Sequence, residues 1–449
     1  AHHPTTQRPT APRQDGTALA ARVKRILRTG NVSKAARCFG ALPLADPTTE
    51  TVEALRSLHP TGAPLQPPPA DTIPADVTLD TVCQVLRRAQ RGKAAGPSGW
   101  TYEHVRRAWQ SGDRAQSAVL RFIQAMVCGR LPHLPAILTS TLLPLAKPNG
   151  GIRPIAVGEV WYRLAGLCAM AASPDPGALL APLQLGVRVS GGAQCLGHAI
   201  QAGIASDPGC VTVTFDWRNA FNTVSRQAVL DAVAERLPTL LPFARWAYGQ
   251  PAPLIIPGAP PDAPPIVSAR GVRQGDPCGP LFFALALQGP LEATVRAHPQ
   301  SPVLAFADDC TMQGSPEAVA AAAPDFVGRV AALGLHPVPE KGGVYSEDAG
   351  AAARVAAALQ MPHRADGIVV AGTPVGADAF VAAHALAASD AACQAMQTLH
   401  DLPQAVLPLQ DKLLLLRSSL QHRVTHLPRC VPWDLASAPG PDLAGPPRR

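Results

Sequence analysis

Three aspartates follow stretches whose composition predicts β-strands. Residues 211–216 alternate apolar and polar side chains, so they predict a strand with a buried valine face, an open threonine face and Asp216 at its end. Residues 303–306 predict another strand, which runs into Asp308 and Asp309. Two adjacent carboxylates at a buried hairpin tip raise each other's pKa, and a divalent cation removes that cost. Oxygen ligands of this kind suit Mg²⁺, so the three aspartates are candidate ligands for two Mg²⁺ ions, with Mn²⁺ as a possible substitute.

Each of these features also has a purely structural explanation. An aspartate between a strand and a helix is typical of helix capping, and an Asp-Asp pair is typical of exposed turns. The combination is more specific, because two-metal phosphoryl transfer requires several carboxylates around two ions. One ion activates the attacking hydroxyl in that chemistry, and the other stabilises the leaving group.

A loop rich in glycine and proline lies between the two acidic segments. Residues 270–280 contain Arg273, Gln274 and Gly275, and an apolar helix is predicted over residues 281–288. Glycines let a ligand approach the backbone closely, and proline suits the first turn of a helix. A structural loop before a core helix explains the glycines and prolines but leaves the central Arg-Gln pair unexplained.

These motifs, taken in order, resemble those of a known family. F-D-W-R-N-A-F-N (215–222), G-V-R-Q-G-D-P-C-G-P (271–280) and F-A-D-D (306–309) resemble motifs A, B and C of reverse transcriptases. They are most similar to the motifs of non-LTR retrotransposons, and group II intron enzymes are more distant. Residues 92–101, G-K-A-A-G-P-S-G-W-T, are similar to the family's fingers signature. The resemblance extends over residues 40–430.

The resemblance implies a role for each matching residue. Asp216, Asp308 and Asp309 would hold the metal ions, and Lys341 would protonate pyrophosphate. Phe221 would be the steric gate that excludes a ribose 2′-hydroxyl, and Arg153 and Lys147 would grip the triphosphate. The implied substrate-binding set is Lys147, Arg153, Phe221, Arg273, Gln274 and Gly275, and the implied primer grip is Gly372, Thr373 and Pro374.

The function implied is RNA-directed DNA synthesis from a primer 3′-hydroxyl. Its partners would be an RNA template, a DNA primer, the RNA–DNA hybrid and dNTPs, and its location would be the nucleus. An RNA-dependent RNA polymerase is the nearest enzymatic alternative, but Phe221 stands where such enzymes carry a second acid. Two hypotheses without activity stay open: a non-catalytic palm that scaffolds nucleic acid, and an inactive retroelement remnant. All three aspartates are nevertheless present.

The fold class implied is α+β, a right hand whose antiparallel palm sheet is backed by helices. We predict a basic N-terminal extension and proline-rich linker over 1–75, fingers over 76–205 and a palm over 206–380. A helical thumb would follow over 381–432, with a disordered tail over 433–449.

Local patterns predict the elements that position these motifs. Asn149-Gly150 between apolar stretches predicts a hairpin over residues 142–157. Helices are predicted over residues 18–39, 48–58, 79–91, 101–110 and 114–128, and the resemblance implies the helical thumb within residues 394–429. Residues 1–16 are predicted to be disordered, and proline-rich loops are predicted over 59–76 and 250–265.

Composition favours a folded, intracellular protein. The net charge is +7, and residues 1–120 hold 16 Lys/Arg against 9 Asp/Glu, a balance that suits a phosphate backbone but is equally typical of a solvated surface. The ten cysteines include no C-x-x-C pair, which argues against a zinc ribbon. No apolar stretch is long enough to predict a membrane span. The chain begins with Ala1, as a segment of a longer protein would.

Overall fold

The computed structural model describes residues 16–40, 43–67, 72–147, 150–432 and 435. Both α-helices and β-strands are present within these ranges, which confirms the predicted α+β class. Most of the disorder predicted for residues 1–16, the Pro148-Asn149 part of the predicted turn, and nearly all of the predicted tail over 433–449 lie outside the described residues.

Helices outnumber strands among the described residues, and both are numbered in chain order. The α-helices are α1 (Gly16–Leu27), α2 (Val32–Arg37), α3 (Thr49–Ser57), α4 (Leu79–Arg88), α5 (Tyr102–Trp109), α6 (Asp113–Val127), α7 (Pro135–Leu138), α8 (Val160–Ala171), α9 (Pro176–Leu180), α10 (Gly192–Ser206), α11 (Ala220–Thr223), α12 (Arg226–Arg236), α13 (Leu241–Tyr248), α14 (Gly279–Ala297), α15 (Pro316–Ala332), α16 (Ala349–Leu359), α17 (Asp378–Asp401), α18 (Leu409–Ser418) and α19 (Leu427–Cys430). The strands are β1 (Ser140–Ala146), β2 (Ile152–Gly158), β3 (Val211–Phe215), β4 (Ala252–Ile255), β5 (Ile266–Ser268), β6 (Val303–Phe306), β7 (Asp309–Gly314), β8 (Gly343–Tyr345), β9 (Gly367–Val370) and β10 (Thr373–Gly376).

Several predicted helices begin and end within a few residues of the observed ones. The predictions over 48–58, 79–91, 101–110 and 114–128 correspond to α3, α4, α5 and α6. The Thr48 side chain caps α3 by accepting a hydrogen bond from the Thr51 amide. The single helix predicted over 18–39 is wrong, because Gly30 has a positive φ of 76° and Asn31 caps a separate helix, α2.

The proline-rich loop predicted over residues 250–265 is also partly wrong. Strand β4 lies inside it, paired parallel to β1 and antiparallel to β5. Ala252 and Leu254 are buried on this strand. Burial of this face therefore outweighed the signal of the surrounding prolines.

The chain divides into two compact units, each built from separated segments. The first unit contains the described parts of residues 1–179, 219–286 and 402–408. Its four-stranded sheet has the order β2-β1-β4-β5, and β1 and β2 form the predicted antiparallel hairpin. One of its core clusters includes Leu55, Leu142 and Leu254.

The second unit contains the described parts of residues 180–218, 287–401 and 409–449. Its four-stranded sheet has the order β6-β7-β3-β8, and every neighbouring pair is antiparallel. Leu196, Ile200 and Ile204 of α10 form a core cluster with Ile368, Val370 and Val375 of the β9–β10 hairpin. The predicted limits of fingers, palm and thumb stay predictions.

Strand β3 differs from its prediction in one respect. Val211 and Val213 are fully buried as expected, but Thr212 on the opposite face is fully buried too. β3 lies inside the sheet between β7 and β8, and Gln313 donates a hydrogen bond to the Thr212 hydroxyl at 3.0 Å. The threonine face is therefore open only near Asp216, whose side chain is 37% exposed.

Candidate active site

The second unit brings the three predicted aspartates to one end of its sheet. In the antiparallel pairing of β3 with β7, Phe215 lies opposite Cys310. One step further along this register places Asp216 opposite Asp309. Phe306 pairs with Asp309, so Ala307 and Asp308 form the two-residue turn between β6 and β7. Two segments about ninety residues apart in sequence therefore place their acids side by side.

The electrostatics of this cluster are those of crowded like charges. Asp309 is exposed as a residue, but partial burial of its carboxyl group, and then the neighbouring carboxylates Asp308 and Asp216, raise its pKa to about 6. Lys341 offsets part of this charge, since its Nζ lies 3.5 Å from Oδ1 of Asp216. The Lys341 side chain is half exposed, so this ion pair remains accessible from solvent.

The three carboxylates fit a divalent cation by their chemistry. They supply hard oxygen ligands, and the raised pKa of Asp309 is a cost that a bound cation would remove. No group of three or more His, Cys, Asp or Glu side chains in the described part of the chain is gathered tightly enough to hold a metal ion as it stands. The two-ion site therefore stays a prediction.

Two residues that sequence reasoning missed hold the turn between β6 and β7. Gln184 is fully buried, and its side-chain amide is hydrogen-bonded to both the N–H and the carbonyl of Ala307. Gly186 lies against the same turn, because a Cβ at this glycine would lie 2.2 Å from the Ala307 nitrogen. Gln184 and Gly186 are separated by Leu185 in Leu183-Gln184-Leu185-Gly186, and this short stretch forms no local pattern that marks the contact.

The predicted primer grip is a tight hairpin that packs on α10. Ala371 and Gly372 form its turn, both with positive φ, 47° and 86°. Thr373 is buried, and a Cβ on Gly197 of α10 would lie 2.6 Å from the Thr373 hydroxyl oxygen. Thr373 therefore contributes to packing, as does Pro374, which is also buried. The role of this hairpin in holding a primer stays a prediction.

The first unit brings strand β2 of the hairpin together with the loop over residues 270–280, called here the Gln-Gly loop after Gln274 and Gly275. The Gln274 carbonyl accepts a hydrogen bond from the Ala156 amide at 2.7 Å. Gly275 has a φ of 109°, and a Cβ there would lie 2.4 Å from the Ala156 oxygen. Arg153 is exposed on the same strand, and the Lys147 amide closes the hairpin by donating to the Gly151 carbonyl. This arrangement is compatible with a shared nucleotide-binding surface.

Arg273 lies in the interior of the first unit and is only 4% exposed. Its guanidinium stacks between the rings of Tyr162 and Tyr248, at 4.7 and 5.0 Å from their centroids. Nη2 lies 3.7 Å from Asp276, and Nη1 donates to the Leu138 carbonyl at 2.9 Å. Both tyrosine hydroxyls also donate to Asp276. These contacts favour a role in fixing the Gln-Gly loop over the predicted direct contact with substrate.

Phe221 is half-buried and stacks on Phe283, with ring centroids 4.8 Å apart and an interplanar angle of 22°. The Phe221 carbonyl accepts a hydrogen bond from the Val272 amide. A Cβ on Gly271, which has a φ of 64°, would lie 2.2 Å from that carbonyl oxygen. The ring is therefore held firmly, as a steric gate requires, while its effect on sugar selection stays a prediction.

Comparison with known proteins supports the retroelement resemblance. No protein-family model matches the chain. The chain is 28% identical over 279 residues to "Retrotransposable element SLACS 132 kDa protein" of Trypanosoma brucei gambiense. The match covers 57% of this chain, and the chain spans about a fifth of the length of that curated relative, 21%. This similarity to a retrotransposable element protein confirms the resemblance predicted from the three motifs.

Proposed function

We propose that this chain is the RNA-directed DNA polymerase of a non-LTR retroelement. It extends a primer 3′-hydroxyl with dNTPs on an RNA template. The observation that carries this proposal is the pairing of β3 with β7, which sets Asp216 beside Asp309, with Asp308 in the adjoining turn. The similarity to a retrotransposable element protein supports it independently.

The three carboxylates are the residues that would hold two Mg²⁺ ions. When bound, these ions supply the charge that activates the primer hydroxyl and stabilises the leaving pyrophosphate. Asp309 contributes a ligand whose charged form is disfavoured by partial burial and by its acidic neighbours, because its pKa is raised to about 6. Lys341, half exposed and 3.5 Å from Asp216, would donate a proton to the leaving pyrophosphate.

The remaining residues bind and select the nucleotide in this proposal. Exposed Arg153, with Lys147, holds the triphosphate through charge-assisted hydrogen bonds. Gln274 and Gly275 contact the incoming nucleotide, and the buried Arg273–Asp276 pair keeps their loop in place. Phe221 blocks a ribose 2′-hydroxyl and so restricts synthesis to deoxynucleotides. The β9–β10 hairpin with Gly372 positions the primer.

The proposal also assigns an architecture and a location. The antiparallel sheet β6-β7-β3-β8 is the centre of a right-hand palm, with fingers before it in sequence and a helical thumb after it. The RNA–DNA hybrid is held mainly through its phosphate backbone, which the basic first 120 residues suit. Synthesis at a chromosomal target requires a nuclear location. No helix among the described residues is long and apolar enough to cross a membrane.

Primer extension tests this function directly. The protein is incubated with an RNA template, an annealed DNA primer, Mg²⁺ and dNTPs, and products are resolved by length. We expect extension by the parent protein and none with Asp308→Asn, because a metal ligand is removed. Asp390→Asn, which neutralises an exposed carboxylate on α17, is the matched control and keeps activity. A parent protein that binds the hybrid but makes no DNA would favour the non-catalytic scaffold.

A further inference from the structure

The turn that carries Asp308 has a backbone that alanine does not favour. Ala307 has a φ of 59°, in the left-handed region that glycine adopts readily and L-residues avoid. Such a conformation persists only where surrounding contacts impose it, and it concentrates at functional sites. The contacts that impose it on Ala307 come from outside the hairpin.

The side chain of Gln184 supplies those contacts. Its Oε1 accepts hydrogen bonds from the Ala307 amide at 2.8 Å and from the Gly186 amide at 2.9 Å. Its Nε2 donates to the Ala307 carbonyl at 3.0 Å. One buried amide thus binds both polar groups of the strained residue, because a carboxamide carries a donor and an acceptor side by side. Asparagine is one methylene shorter, so glutamine is the residue with the reach.

The backbone around Gln184 is fixed to the same hairpin. The Leu185 amide donates to the Ala305 carbonyl, and the Ala305 amide donates to the Leu183 carbonyl, both at 2.7 Å. Residues 183–185 therefore lie alongside β6 as a short parallel bridge. Gly186 packs directly against the turn between β6 and β7, where any Cβ would clash with Ala307. The side-chain amide of Gln184 is thus oriented by two backbone hydrogen bonds to β6 and by the close packing of Gly186.

We propose that Gln184 is a positioning residue for the catalytic turn, holding the Ala307 backbone so that Asp308 and Asp309 are preset to receive metal ions. The inference rests on the proposed function for the use of those ions. Gln184 touches neither substrate nor metal and acts through Ala307. Residues that orient metal ligands in this way typically change metal affinity or activity 10–100-fold when replaced.

Metal binding to the free protein tests this role apart from DNA synthesis. Mn²⁺ is titrated into the parent protein and into Gln184→Met, which keeps the volume but loses the hydrogen bonds, and free Mn²⁺ is followed by electron paramagnetic resonance. We expect Mn²⁺ affinity to fall about 10–100-fold in Gln184→Met and hydrogen exchange of the Ala307 amide to accelerate. Asp308→Asn removes one candidate ligand, so the Mn²⁺ binding that this variant loses is the binding that belongs to this site.

Two further variants separate positioning from simple loss of stability. Gln313→Met removes a comparable pair of hydrogen bonds in the same sheet, from Gln313 to Ile200 and Thr212, and should leave Mn²⁺ affinity within about twofold. Gln184→Met combined with Ala307→Gly should recover much of the lost affinity, because glycine adopts the positive φ without support. If Gln184 only filled space in the core, adding Ala307→Gly would not restore the Mn²⁺ affinity.

The outcomes distinguish this inference from the proposed function. Equal Mn²⁺ affinity in the parent and in folded Gln184→Met would overturn the positioning role, whatever the polymerase activity. A parent that binds Mn²⁺ through Asp308 but extends no primer would overturn the polymerase function and leave the titration of Gln184→Met decisive. A parent without Asp308-dependent Mn²⁺ binding would overturn both.

Discussion

At the scale of single residues, the proposed chemistry depends on carboxylates kept close against their mutual repulsion. Asp309 shows this most clearly, because burial and then the charges of Asp308 and Asp216 raise its pKa to about 6. A folded protein that holds such a group ionised at neutral pH loses stability. The arrangement is understandable if a cation is bound during function.

This repulsion predicts a pH-dependent gain from Asp309→Asn in metal-free buffer. The folded pKa lies above the unfolded one, so the native protein loses stability as pH rises through about 4 to 6, and at pH 7.5 the full cost is present. Neutral asparagine removes that cost, which solvent screens in part because Asp309 is exposed, so we expect the melting temperature to rise by only roughly 1–3 °C at pH 7.5 and little at pH 4. Thermal unfolding with EDTA measures this, and an equal gain at both pH values would contradict the assignment.

Phe221 supports a second prediction at this scale. If its ring blocks the ribose 2′-hydroxyl, Phe221→Ala should increase incorporation of rNTPs relative to dNTPs by about 10-fold or more, equivalent to at least about 1.4 kcal/mol of lost discrimination. Phe221→Tyr keeps the ring and its stacking on Phe283, so it should keep the selectivity. Steady-state kinetics with matched rNTP and dNTP pairs provide the measurement. Unchanged selectivity in an active Phe221→Ala enzyme would remove Phe221 from this role.

At the scale of elements, the Gln-Gly loop and strand β2 act as one piece. Gly275 combines a φ of 109° with close approach to the Ala156 oxygen, so no other residue fits without moving the loop. The buried Arg273–Asp276 pair holds the loop from the interior. The position of Gln274 therefore depends on contacts with segments that are distant from it in sequence.

This dependence predicts a specific kinetic defect for Gly275→Ala. The displaced loop should raise the KM for dNTPs by about 10-fold or more, because Gln274 and Gly275 contact the nucleotide in the proposed function. Metal binding in the second unit should stay unchanged. Gly289→Ala is the matched control, since a Cβ at this helical glycine meets no atom within 4 Å. A KM within about twofold of the parent value for folded Gly275→Ala would contradict the proposed contact.

At the scale of the whole molecule, charge rather than shape supports the clearest expectation. Residues 1–120 carry the entire excess of positive charge, because the other 329 residues contain 23 Lys/Arg and 23 Asp/Glu. A phosphate backbone bound by such a region releases counterions on binding. The part of the chain that carries the charge is distinct in sequence from the part that carries the aspartates.

Binding of an RNA–DNA hybrid should therefore weaken steeply with salt. We expect the affinity to fall by about 100-fold or more between 50 and 200 mM KCl, as for a protein that makes several phosphate contacts. Asp308→Asn should show the same salt dependence, because it changes the catalytic site and leaves the basic residues intact. Fluorescence anisotropy with a labelled hybrid measures both. An affinity independent of salt would exclude backbone recognition as the main mode of binding.

The sequence by itself determined much of the local structure and the identity of the candidate site. The alternation before Asp216 and the apolar stretch before Asp308 were sufficient to predict β3 and β6, and capping residues such as Thr48 marked helix starts. These signals are local, since a strand's alternation and a helix cap involve residues within a few positions. The predictions failed where local signals competed, as at Gly30 and around the prolines near β4.

Only the tertiary structure decided which distant residues meet. The register of β3 and β7 set Asp216 beside Asp309. The burial of Arg273 between two tyrosines favours a role in fixing the Gln-Gly loop. Gln184 was missed because its hydrogen bonds reach Ala307, more than a hundred residues away, and no local pattern marks them. Hydrogen bonds and desolvation depend on neighbours in space, so side chains of ordinary type acquire their roles only when the chain has folded.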